Sequence, residues 1–94
     1  MKLQQIYETA FTMGMKADPR GPEMVARDLQ DRKKEYDSLP EKEKPYFDLE
    51  SLKNPYSDSR VLVGNGDEDI KTVMMGIDME VGEILVADRL KEKG

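Results

Sequence analysis

The chain contains no cysteine, no histidine and no tryptophan. The absence of cysteine excludes a disulfide framework, a thiolate zinc site and a thiol nucleophile. The absence of histidine removes the commonest metal ligand and the commonest general base. Any catalysis carried by these residues alone would fall to carboxylates, lysine, tyrosine or serine. Aromatic residues make up only 6%, and apolar residues reach 37% against an equal 37% of charged ones. That balance predicts a thin core under a charged coat, or a piece whose hydrophobic partner lies elsewhere. No apolar run approaches the roughly 20 residues that cross a bilayer, and the opening "MKLQQIYETAF" lacks the hydrophobic block of a secretory signal. The expected compartment is the cytoplasm, with no membrane partner. A net charge of -5 provides no cationic face for nucleic acid or anionic lipid. With 94 residues the chain is one domain at most.

What is present divides into two halves. Leu3, Ile6, Tyr7, Ala10, Phe11, Met13 and Gly14 recur at helical spacing and predict an amphipathic helix over 2–15. "ADPRGP" breaks it, and a second helix is expected from Pro22 to about Asp37, with Val25, Leu29, Arg32 and Tyr36 along one side. Ser38 and Glu41 form a capping-box pattern ahead of a short helical turn that Pro45 ends, and Asp48 is placed to open another.

From Arg60 the character changes. "RVLVG" and "IKTVMMGID" read as two β-strands joined through the "NGDED" loop as an antiparallel hairpin. "MEVGEILVADRLKEKG" reads as a helix capped by Asp78 and closed by Gly94, with Val81, Ile84, Leu85 and Leu90 as its buried stripe and Gly82 permitting close packing. Because "VMMGI" is apolar at nearly every position, it is expected to be covered on both faces. The expected fold class is therefore α/β, seen as an α+β arrangement of order ααββα with an incomplete sheet. Residues 1–53 form a helical N-terminal segment and 54–94 the ββα start of the core.

Four features are candidates for chemistry or binding. "GNGDED" gathers Asp67, Glu68 and Asp69, an oxygen-rich set that could take Ca²⁺ or Mg²⁺, against the simpler reading of a solvated hairpin turn. Asp78, at a strand-to-helix turn, could act as ligand or base, against simple helix capping. "DRKKEY" is the one basic cluster, neutralised by its own acids. Tyr46, Phe47 and Tyr56 could form an aromatic binding surface, against the simpler reading that they anchor the connective segment to the core. Met74, Met75 and Met79 are expected to fill the core. No catalytic, cofactor or metal-ligating residue is assigned.

The stretch "NPYSDSRVLVGNGDEDIKTVMMGIDMEVGEILVADRLKEKG", residues 54–94, resembles the opening of the NIF-three-like family, the GTP cyclohydrolase I type-two homologues. The resemblance rests on the Pro-containing lead-in to "VLVG", on "IKTVMMGID" and on the helix ending in Gly. It implies an α/β protein, a toroidal homo-oligomer and a dinuclear divalent metal site of hydrolase-like type, with the His-His ligands falling beyond Gly94. Residues 1–53 lie outside the match and read as a subgroup insertion. Two functions compete: an opening segment of such a protein, inactive alone, and a stand-alone acidic module for self-association or protein interaction. Both expect a homo-oligomer.

Overall fold

The computed structural model describes residues 1–93, and three α-helices organise it: α1 (Leu3–Ala17), α2 (Pro22–Ser38) and α3 (Val81–Glu92). Two 3₁₀ turns, Lys44–Tyr46 and Leu49–Leu52, lie between α2 and α3. α1 packs on α2, and α2 on the second 3₁₀ turn. Gly21 takes φ +87° ahead of Pro22, a conformation only glycine adopts freely, and so turns the chain into α2. Ser38 ends α2 rather than opening the next turn, its hydroxyl donating to the Lys34 carbonyl at 2.8 Å. Asp48 does precede the second 3₁₀ turn, without a side-chain capping bond.

The α2 stripe is as the spacing predicts, with Val25 buried and Leu29, Arg32 and Tyr36 half-buried. Phe47 joins it, its ring 5.2 Å from that of Tyr36. The core is minimal: Val25, 2% exposed, is its one fully buried apolar side chain among the described residues.

The expected α/β class is not what forms. Among the described residues there is no strand, and the single β pairing is an isolated antiparallel bridge between Lys2 and Asp69. The physical reason lies at the start of α1. A helix leaves its first backbone N–H groups without partners. Here Leu3 N–H donates to the Glu68 carbonyl and Gln4 N–H to the Gly66 carbonyl, both at 2.9 Å. The acidic loop is therefore a cap for α1 and not a hairpin turn, and the two apolar runs that flank it do not pair. The expected cover on "VMMGI" is also missing: Met75 is 87% and Ile77 93% exposed.

Gly64 makes that docking possible. Its φ is +113°, and a Cβ there would meet Glu68 Oε1 at 2.8 Å and Leu3 Cδ2 at 3.0 Å. Gly64→Ala is expected to cost about 1–2 kcal/mol from backbone conformation alone. The loss should appear as a lower melting temperature together with faster amide exchange in the first turn of α1; an unchanged first turn would refute the capping role.

The chain is extended for its size, with a radius of gyration of 16.8 Å. A compact domain of this length has about 12 Å.

Candidate functional site

The sequence candidates are not brought together. In the 64–69 loop Glu68 accepts the backbone N–H groups of Asn65 at 2.8 Å and Gly66 at 2.9 Å, whereas Asp69 faces the Met1 ammonium at 3.4 Å. These carboxylates are turned to separate partners rather than to one ion. Among the described residues no group of three or more His, Cys, Asp or Glu side chains could hold a metal ion. The dinuclear metal implied by the resemblance therefore does not fit the residues described, and no chemical step is derived through it.

Asp78 is not the cap of α3. It takes φ +53°, and Glu80 occupies the capping position, its N–H donating to Glu83 Oε2 at 2.9 Å. A carboxylate two residues later served the dipole equally well, so the choice between them was invisible in the pattern. The closing role given to Gly94 lies outside the described residues. "DRKKEY" is no open basic patch: Arg32 Nη2 pairs with Asp28 at 3.2 Å and donates to the Pro55 carbonyl at 3.1 Å, and Lys33 pairs with Asp37 at 3.1 Å. Tyr46 is 89% exposed and anchors nothing, since its ring projects from the first 3₁₀ turn. Tyr56 does anchor, donating its hydroxyl to Asp18 at 2.8 Å.

What the fold does assemble is a polar clasp that sequence reasoning missed. Asn54, 1% exposed, donates to Tyr7 Oη at 2.9 Å and to the Ser59 carbonyl at 2.7 Å, and accepts the Tyr56 N–H at 2.9 Å. Tyr7 in turn donates to Glu50 at 2.7 Å. Arg60 forks onto Asp48 with both bonds at 2.9 Å and lies 3.5 Å from Glu50. Asn-Pro was legible as turn chemistry, but a partner 47 residues away in α1 was not. The clasp borders a groove of about 490 Å³ between α1, the second 3₁₀ turn and the capping loop, with Tyr7, Phe11, Lys53 and Asn65 among its walls. Every buried side-chain polar atom among the described residues has a partner, so the clasp presents no unsatisfied group to a ligand.

Its electrostatics are those of a structural joint. The Arg60 guanidinium holds Asp48 below the usual carboxylate range, and the Arg20 guanidinium does so more strongly for Asp18. Backbone N–H donors lower Glu68 and Glu83 in the same direction. Burial, followed by hydrogen bonding to carboxylates, raises Tyr7 and Tyr56. A carboxylate lowered by folding stabilises fully above its unfolded value and loses that contribution as pH falls through the folded one. A tyrosine raised by folding stabilises fully below its unfolded value and loses it as pH climbs through the folded one. Melting followed across pH should therefore show a plateau near neutrality, a fall below the ordinary carboxylate range and another above the ordinary tyrosine range. A melting temperature that rises on acidification would contradict this.

The other conspicuous surface is apolar. Val73, Met74, Met75, Ile77 and Met79, then Val81, Ile84, Leu85, Val86 and Leu90 on α3, are all exposed. The methionines expected as core filler and the stripe expected to be buried are thus at best partly covered by this chain, and Gly82 has nothing within 4 Å. At 100° per residue, Val81, Ile84 and Leu85 share one side of α3, with Val86 and Leu90 opposite. No helix among the described residues is long and apolar enough to cross a membrane. No family model, curated protein or solved structure matches the chain.

Proposed function

We propose that this chain acts as an assembly element rather than as a catalyst, in the setting of a NIF-three-like protein. The observation that supports it is the uncovered apolar surface running from Val73 to Leu90. A helix with apolar side chains on opposite sides is stable in water only when other protein covers it. Exposed apolar side chains gathered in one stretch of chain mark an interaction site. The covering partner is another copy of the chain, in a homo-oligomer, and the compartment is the cytoplasm. The acidic charge keeps the exposed form soluble and turns nucleic acid and anionic lipid away. Residues 1–70 then serve as a scaffold, in which the clasp and the capped α1 hold the start of the apolar segment in place. Any dinuclear metal of the assembly takes its ligands from elsewhere.

Sedimentation equilibrium of the purified chain tests this. A mass that is a multiple of 10.8 kDa and grows with concentration is expected. A persistent monomer would overturn the assembly role. Stoichiometric zinc, iron or manganese retained at neutral pH would overturn the non-catalytic assignment.

A further inference from the structure

The association proposed above leaves its contact surface open, and two uncovered features of the same chain fit one another. The first is a groove of about 440 Å³ between α1 and α2, walled by Phe11, Met15, Pro22, Val25 and Leu29. Lys16 and Lys53 also line it, and neither makes an ion pair among the described residues. The second is the side of α3 that carries Val81, Ile84 and Leu85, all exposed. Continuing at helical spacing, the same side carries Asp88 and Glu92, which likewise make no ion pair among the described residues.

We infer that α3 of one copy docks in the α1/α2 groove of a second copy. The apolar first turns cover the groove walls, and Asp88 and Glu92 meet the two unpaired lysines. Charge complementarity of this kind fixes register and orientation more than it adds affinity. The docking is between copies because, within one chain, α3 stays exposed and the groove has no α3 residue among its walls. Exchange in both directions closes a two-fold dimer and fills both grooves. The opposite side of α3, with Val86 and Leu90, remains free for further layers of the assembly.

The absence of native cysteine makes the test clean. Two single variants, Ala26→Cys on the groove and Leu85→Cys on α3, are each purified, mixed and treated with a short bismaleimide. Cysteine is itself a small apolar side chain, so both substitutions are mild. The expected result is a cross-linked species that joins one variant to the other, dominates over like-with-like products and is lost on dilution. The double variant Ala26→Cys/Leu85→Cys provides the contrary readings. Cross-linking within single chains that persists on dilution places α3 in its own groove and overturns the inference. An oligomeric mass with no cross-link between the variants assigns the contact to another surface, which overturns the inference and leaves the assembly role standing. A monomer at all concentrations overturns both.

Discussion

Replacing Asn54 by alanine is expected to lower the melting temperature by more than about 10 °C. Asn54 sits where three segments meet: its amide reaches Tyr7 in α1, the Ser59 carbonyl and the Tyr56 N–H. Truncation strands the Ser59 carbonyl and the Tyr56 N–H and leaves Tyr7 Oη with Glu50 alone, and each stranded polar group costs about 1–3 kcal/mol. A total of about 3 kcal/mol is a reasonable sum after relaxation, and each kcal/mol moves the midpoint of a domain this small by about 4–8 °C. A core whose one fully buried apolar side chain among the described residues is Val25 has little reserve to absorb that loss. Asn54→Asp should fare little better, since a carboxylate accepts from Tyr56 but cannot donate to the Ser59 carbonyl. Thermal melting by circular dichroism checks both, and an unchanged midpoint in either variant would show that the clasp is dispensable.

The second large effect concerns association and should leave the fold alone. Ile84 and Leu85 are exposed within the single chain. Changing both to serine therefore removes little intramolecular packing, and far-ultraviolet circular dichroism should keep its helical signal and nearly the same midpoint at low concentration. In an assembly each of these side chains is buried, which is worth about 1.5–3 kcal/mol apiece. The double variant should dissociate at least about 100-fold more readily, since each 1.4 kcal/mol is a factor of ten. Sedimentation velocity over a concentration series reads the shift. Equal association of the double variant and the parent chain would remove α3 from the interface.

These two results concern different halves of the chain, and the halves differed in how far their sequence revealed them. α1 and α2 were legible because their information is local. Leu3, Ile6 and Phe11 repeat at helical spacing, and Pro22 after Gly21 sets the second start. The expected bounds, 2–15 and 22–37, differ from Leu3–Ala17 and Pro22–Ser38 only at the ends, where helices fray. α3 was legible for the same reason, with Glu80 and Glu83 at its start and Lys91 and Lys93 at its end.

The strands were misread because strand formation is not local. "RVLVG" and "IKTVMMGID" have strand composition, but a strand also needs a neighbouring backbone to accept its hydrogen bonds. The loop between them has another use, since its Gly66 and Glu68 carbonyls complete the first turn of α1. No feature of "GNGDED" announces that the open end of a helix more than sixty positions away will claim it. The clasp was hidden for a like reason: Asn54, Tyr7 and Arg60 are ordinary residues until folding sets them side by side. Composition did reveal the shortage of buried apolar surface. Equal shares of apolar and charged residues predicted a thin core, and a thin core is what α1 and α2 enclose.

The central claim is that the apolar surface from Val73 to Leu90 is covered by a second copy of this chain. Amide hydrogen exchange of the purified protein, followed by mass spectrometry over a wide range of concentration, tests it most directly, because protection reports the free energy of opening segment by segment. The account predicts that peptides spanning 81–92 exchange rapidly in dilute solution and become protected as concentration rises. Peptides from α1 and α2 should be protected throughout. Exchange in 81–92 that stays equally fast at every concentration would contradict it.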